Sequence, residues 1–157
     1  MDELAREAVA LGDDDRISRV LDEVCRVTGM GFAAVARVTA ERWIAVQVED
    51  KIAFGLKPGG ELKIRETICD EIRGCGDAIF IDHVFTDPRW SSHPVPAQYG
   101  FQSYVSIPLH AADGAFFGTL CAIDPRPRTV TDEAMVELLT GYARRIEALI
   151  HEKVGVG

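Results

Sequence analysis

Residues 101–124, FQSYVSIPLHAADGAFFGTLCAID, read as two strands closed by a tight turn. In the first half apolar and polar residues alternate with the period of an extended chain. Phe101, Ser103, Val105, Ile107 and Leu109 are expected on one face, and Gln102, Tyr104 and Ser106 on the other. Asp113-Gly114 is a turn dipeptide, because both residues tolerate the backbone angles of a short hairpin loop. AFFGTLCAID (115–124) then returns as the partner strand. A strand pair of this kind needs further sheet on its flanks and a layer to cover its apolar face.

Those elements are legible on the N-terminal side. Asp13, Asp14 and Asp15 follow Gly12 as acidic capping residues. Ile17, Val20, Leu21, Val24 and Thr28 then recur at helical spacing up to Gly29, predicting a helix over 13–28. Residues 2–11 form either a short helix or the frayed end of a longer one. Phe32–Val38 and Trp43–Val48 are rich in β-branched and aromatic residues and predict two strands joined at Thr39–Arg42. GLKPGGE (55–61) reads as a loop. Ile64, Ile68, Cys69 and Ile72 trace a helical stripe that stops at Gly74, and Ala78–Ile81 reads as a short strand ending at Asp82.

A long irregular stretch follows, HVFTDPRWSSHPVPAQYG (83–100), with three prolines, two histidines, a Trp and a Tyr. Segments of this length inside compact domains are uncommon and tend to be functional. Beyond the hairpin, a last helix is expected over about 131–152, opened by Thr131 as cap with Glu133 in its first turn. Its apolar positions, from Met135 through Leu138 and Tyr142 to Ile150, project onto an arc of roughly 160°. Within them Val136, Leu139, Ala143, Ile146 and Ile150 keep heptad-like spacing. An arc that wide serves either a helix packed on its own sheet or one that also pairs with a partner helix. The order of elements predicts an α+β domain: an antiparallel sheet with helices packed on it.

Composition narrows the function classes. The chain of 157 residues has 25 acidic and 17 basic side chains, a net charge of −8, and 47% hydrophobic residues. This fits one soluble domain spanning 1–157, with its core over about 13–152. An acidic balance argues against nucleic acid, whose binding needs clustered Lys and Arg, and against anionic membranes. No apolar run approaches the roughly 20 residues of a membrane span. MDELAREAVA lacks the basic-then-apolar order of a signal peptide, so a cytoplasmic location is expected. The four cysteines, Cys25, Cys69, Cys75 and Cys121, show no CxxC spacing and no accompanying His cluster, which weakens a zinc reading. Cys25, Cys69 and Cys121 fall on apolar-periodic positions, where a thiol serves as small core filler. No metal site is expected, and the residues name no cofactor.

With these elements in hand, AIFIDHVFTDPRW (78–90), SYVSIPL (103–109) and above all DGAFFGTLCAIDPRPRTVTDEAMVELL (113–139) resemble GAF domains of bacterial sensor proteins. The strand ending in Pro108, the turn, Gly118-Thr119-Leu120 and the Asp124-Pro125 exit carry the resemblance, which runs from about residue 13 to 152. It implies a GAF/PAS-like antiparallel sheet of five to six strands flanked by N- and C-terminal helices. It also implies a pocket on the sheet face away from the helices, roofed by residues 82–100. Such domains sit at the input end of histidine kinases, cyclic-dinucleotide enzymes or transcription regulators. The expected function is therefore non-catalytic sensing or regulation, as the input module of a two-component or related signalling protein. The domain would bind a small molecule or relay a conformational signal through its terminal helices, with a second copy of the chain as partner.

The candidate ligand-binding residues are Asp82, Asp87, Trp90, His93 and Tyr99 from the long segment, Tyr104 and Ser106 from the strand beside it, and Cys69. A pocket wants apolar walls and a few converging polar groups, and these supply both. Several also have a purely structural reading: Asp87-Pro88 starts a turn, Trp90 anchors the segment, and His93 beside Pro94 is solvated. Two alternatives lie within the family. Bilin-binding photoreceptors attach their pigment through a cysteine near the end of this segment, but SSHPVPAQYG (91–100) has none, leaving only non-covalent binding. Free methionine-(R)-sulfoxide reductases use pocket thiolates. Cys69 resembles one of theirs by location, but the cysteines expected in the long segment are missing, and Asp70 and Glu71 disfavour a thiolate. No P-loop, GxGxxG or HExxH pattern occurs, nor does an Asn-Lys-x-Phe-Asp-type cyclic-nucleotide motif.

Overall fold

The structure, a computed structural model, describes residues 2–62, 78–86 and 101–154. Asp2 opens the first helix, α1 (Glu3–Gly12), by accepting the Ala5 N–H at 3.0 Å. Residues 2–11 are thus a helix in their own right, and Ala5 and Ala8 bury it. The second helix, α2 (Asp15–Thr28), has Asp14 as its cap, and Gly29 ends it in the left-handed region at φ 72°. Ile17, Val20, Leu21 and Val24 are buried along it, as their spacing requires.

The cap of α2 is also an electrostatic node. Asp14 accepts the Arg16 N–H at 2.8 Å and pairs with the Arg16 guanidinium at 2.8 Å. These bonds, the guanidinium's first, hold its carboxyl at about 2, against an ordinary 3.8. A depressed folded-state pKa means that the Asp14 contribution to stability is complete above the ordinary carboxylate range. It is lost as pH falls from about 4 toward 2. Denaturant melts of wild type and Asp14→Asn are therefore expected to differ at neutral pH and to converge near pH 2. A difference that persists at pH 2 would contradict this.

Among the described residues six strands form one sheet. They are β1 (Phe32–Val38), β2 (Trp43–Asp50), β3 (Glu61–Leu62), β4 (Ile79–Ile81), β5 (Ser103–His110) and β6 (Phe116–Asp124). Their order across the sheet is β3-β2-β1-β6-β5-β4, and every neighbouring pair is antiparallel. The β1–β2 turn is closed by Thr39 N–H donating to Arg42 O at 2.8 Å. The β5–β6 turn is closed by Ala111 N–H donating to Ala115 O at 2.8 Å, with Asp113 accepting from Ala115 N. A final helix, α3 (Glu133–Val154), completes the chain's described part.

The three α-helices among the described residues pack on one face of the sheet. Ile17, Leu21 and Val24 of α2 and Leu139, Ala143, Ile146 and Ile150 of α3 meet Val35, Ile44, Val105, Ile107, Leu109 and Leu120 from the strands. Ile17, Leu21, Leu139 and Ile146 are wholly buried, each worth roughly 2 kcal/mol of burial. The heptad-like positions of the last helix from Leu139 to Ile150 are thus spent on its own core.

Four local expectations are corrected. Phe101 does not share a face with Val105; it lies ahead of β5, outside the alternation, and stacks on Tyr104 with centroids 5.2 Å apart. Thr131 does not cap α3. Its hydroxyl is drawn to Asp82 at 2.7 Å, and Asp132 one residue on accepts from Ala134 N and Met135 N. Glu61–Leu62, read within and beside a loop, adds an edge strand by pairing with Trp43 and Ile44. β2 runs to Asp50 and carries a bulge that leaves Val46 without an opposite residue.

Candidate functional site: the sheet face away from the helices

The register of the strands makes this face readable row by row, since residues directly opposite across antiparallel strands share a face. One row runs Ala45, Ala36, Thr119, Pro108. The next runs Val48, Ala34, Cys121, Ser106, Ile79. The third runs Asp50, Phe32, Ile123, Tyr104, Ile81. On the other side of the first row stand Val38 and Trp43, paired with each other. Successive rows lie about 7 Å apart along the strands. The result is a trough: small side chains from four strands form its floor, and Trp43 with Val38 on one side and Phe32, Ile123 and Tyr104 on the other form its walls. Ala34, Ala36, Ala45, Ser106, Thr119 and Cys121 on the floor and Val38 and Trp43 beside them are buried, and Leu56 and Phe116 pack against them.

Polar groups on the floor are few and specific. The Thr119 hydroxyl and the Cys121 thiol lie 3.0 Å apart, and Ser106 sits opposite Cys121. A segment following β2 folds over part of the face. The Asp50 carboxylate accepts the N–H groups of Ile52, Phe54 and Gly55 at 3.2, 3.0 and 2.8 Å. Burial pushes the Asp50 carboxyl up, but the backbone donors outweigh it and hold it below the usual range. The segment so curled brings Ile52, Phe54 and Leu56 against the walls, with the Phe54 and Phe32 rings 5.0 Å apart.

Of the candidate residues, Tyr104 and Ser106 fall on this face. Tyr104 is engaged with Phe101 in a ring stack. Asp82 is placed differently: its carboxylate accepts Val130 N at 2.6 Å, Thr131 N at 3.0 Å and the Thr131 hydroxyl, and its main-chain oxygen accepts Arg128 N at 3.1 Å. It joins the end of β4, where the 82–100 segment begins, to the entry of α3. Cys69, Asp87, Trp90, His93 and Tyr99 lie outside the described residues, as does the helix expected over 64–74. Residues absent from the sequence-based candidates are the floor itself, Ala34, Ala36, Ala45, Thr119 and Cys121. Their signal was present in FAAVARV (32–38), where Ala34 and Ala36 share the period of Phe32.

The face combines apolar walls with a floor of small side chains that includes a hydroxyl and a thiol in contact with each other. Cys25 stands apart in the helix layer, where burial pushes its thiol up to about 11 and removes it as a nucleophile. Among the described residues no group of three or more His, Cys, Asp or Glu side chains is placed to hold a metal ion. Among them too, no helix is long and apolar enough to cross a membrane.

An antiparallel six-stranded sheet with helices on one face and a row of small side chains on the other defines an α+β domain. The family model described as the GAF domain matches residues 14–150, and the chain belongs to that family. A stretch of 66 residues is 38% identical to a cyclic di-GMP phosphodiesterase of Pseudomonas aeruginosa, covering 41% of this chain and 11% of the relative. Another of 86 residues is 30% identical to the diguanylate cyclase DgcP of Escherichia coli, covering 50% of this chain and 25% of that one. The chain thus matches a minor part of the length of each. Among solved structures, the GAF domain from Acinetobacter phosphoenolpyruvate-protein phosphotransferase aligns with a TM-score of 0.67 at 11% identity, covering 100% of this chain and 99% of that one. A red/green cyanobacteriochrome in its red light-absorbing state aligns at 0.71 and 16% identity, covering 90% and 96%. At these identities the likeness is one of fold.

Proposed function

We propose that the chain is a sensory or regulatory module that holds a small molecule in the trough and passes its occupancy to an attached output through the terminal helices. The observation that carries this reading is the asymmetry of the sheet. Its helix face is packed with large aliphatic side chains, while the opposite face keeps small ones across four adjacent strands between aromatic walls. A sheet that needed only covering would gain about 25 cal/mol for each Å² of added apolar burial there. Ser106 and Tyr104 are the described groups assigned to guest contact, joined by Cys69, Asp87, Trp90, His93 and Tyr99. Asp82 is assigned to the link between the end of β4 and α3. The two relatives favour a cyclic di-GMP-handling enzyme as the output, and pairing of two copies through the terminal helices would carry the signal. The domain itself performs no reaction in this reading, and it works inside the cell. A guest shifts the output only to the extent that it binds one helix arrangement better than the other.

The test uses the whole chain. Native mass spectrometry of protein purified without refolding is expected to show a co-purifying small molecule. Thermal-shift measurements with nucleotides, cyclic dinucleotides, biliverdin and methionine sulfoxide should then identify its class. Ala36→Leu, which fills the floor, should abolish that shift while the circular dichroism spectrum stays unchanged. If neither an adduct nor a shift is found, or if Ala36→Leu leaves the shift intact, small-molecule sensing at the trough is overturned.

A further inference from the structure

The segment that leaves β2 is fastened to the sheet at both ends. At its start Lys51 N–H donates to Gly31 O at 2.7 Å, and Ile52 lies so close over Gly31 that an added Cβ there would collide with its Cγ2. The Asp50 carboxylate gathers the Ile52, Phe54 and Gly55 amides. The bend so made puts Ala53 at φ 55°, a conformation that costs an alanine free energy and persists only where its surroundings impose it. At the far end Gly59 N–H donates to Ala45 O and Ala45 N–H to Gly60 O, both at 2.8 Å. Ala45 belongs to the floor, so the segment begins beside one wall of the trough and finishes on a floor strand. Between the two fastenings stands Leu56. It packs against the cluster that holds Phe32 and Ala34 and also against the one that holds Trp43, Ala36 and Cys121. Val48 and Phe116 bridge the same two clusters, but both are strand residues, whereas Leu56 comes from outside the sheet. Among the described residues no hydrogen bond reaches Leu56.

We infer that residues 51–58 are a gate on the trough, and that Leu56 occupies the place taken by an apolar group of the guest. The inference rests on the small-molecule reading above, and adds how the site is closed and what it selects. Size carries the first part. The space over Ala34, Ala36 and Ala45 is filled by one leucine side chain, so Leu56 and a guest seated there exclude each other. Chemistry carries the second. Leu56 is held by apolar contact, and an aliphatic or aromatic group of similar area regains what its departure loses. A purely charged guest regains nothing and is left desolvated on an apolar floor. The selected class is therefore a molecule with an aliphatic or aromatic end. The gate also has its hinge. A swing of Leu56 away from the face turns the backbone near Ala53 and Gly55, and it relieves the left-handed conformation at Ala53. The bonds from Gly59 and Gly60 to Ala45 keep the far end in place and return the segment when the guest leaves.

Iodoacetamide labelling of the full chain, followed at Cys121 and Cys25 by peptide mass mapping, tests the gate without a guest. Cys121 lies in the cluster that Leu56 covers, and Cys25 lies in the helix layer, where it reports opening of the whole domain. Leu56→Ala empties the place and Asp50→Ala releases the segment, so each should raise the ratio of Cys121 to Cys25 labelling rates roughly tenfold or more. Leu56→Met refills the place and should stay within about twofold of wild type. Selection is read with anilinonaphthalene sulfonate as an aryl probe. It should bind Leu56→Ala roughly tenfold more tightly than wild type, and adding Ala36→Leu should remove that gain. A ratio unchanged in either Leu56→Ala or Asp50→Ala overturns the gate, as does a dye affinity that Leu56→Ala leaves unmoved. A raised ratio with no guest found by thermal shift would overturn the sensing reading and leave closure of the trough by residues 51–58 in place.

Discussion

Gly118→Ala is expected to lower stability by about 3 kcal/mol, and Gly118→Val to prevent folding. A Cβ at residue 118 would lie 1.8 Å from Ala36 O and 2.8 Å from Ala36 C. Those atoms belong to the backbone of β1, so no side chain can rotate out of the way. Relief requires moving β6 away from β1 along a pairing that runs from Phe32–Ile123 to Arg37–Gly118. That pairing joins the two halves of the sheet and carries the floor residues Ala36 and Thr119. The register beside it is also irregular: Phe117 is an extra residue relative to β5, which tightens the local bend. Gly141→Ala provides the opposite case. It sits on an exposed face of α3, where an added Cβ meets nothing within 4 Å, and within a single copy it should gain about 1 kcal/mol from helix propensity. Thermal melts of the two variants should therefore move in opposite directions. The Gly118→Ala midpoint should fall by about 10 °C. A midpoint within a degree or two of wild type would show that β1 can yield, and the close-approach argument would fail.

Asp82→Ala is expected to cost about 3 kcal/mol, because the carboxylate accepts three hydrogen bonds and two come from backbone N–H groups. Val130, one of those donors, is fully buried and has no water to replace the lost acceptor. Thr131→Val removes one bond of the three and should cost about 1 kcal/mol. Hydrogen exchange offers the sharper readout: the Val130 and Thr131 amides should lose protection first in Asp82→Ala. The same carboxylate sits where β4 ends and holds the entry of α3, so in the proposed reading a movement of one reaches the other. If Asp82→Ala lost guest affinity with no change in stability or amide protection, Asp82 would be a contact residue instead of a link.

The sequence signals that succeeded are those set by local geometry. The alternation in SYVSIPL, the stripe from Ile17 to Val24 and the Asp113-Gly114 turn each depend on a period or dihedral preference that a few residues express alone. Phe101 failed for the same reason that Val105 succeeded. Alternation holds only inside a strand, and β5 begins at Ser103. Thr131 failed because a distant carboxylate competed for its hydroxyl. The floor of the trough went unread because the spacing of Ala34 and Ala36 marks a shared face, and only the neighbouring strands show what lies beside it.

The sequence by itself determined that this protein is helices over an antiparallel sheet, with a long irregular segment after the short strand at 78–81 and a hairpin before the last helix. Each of those features follows from contacts within about ten residues. Only the tertiary structure decided that β6 pairs with β1, some 80 residues away, that Asp82 reaches across to Thr131, and which part of the apolar arc on α3 is buried. Such choices depend on which surfaces fit when the chain closes on itself. The apolar arc of α3 is wide, and the sheet took the part of it whose aliphatic side chains, Leu139, Ala143, Ile146 and Ile150, pack against the strands.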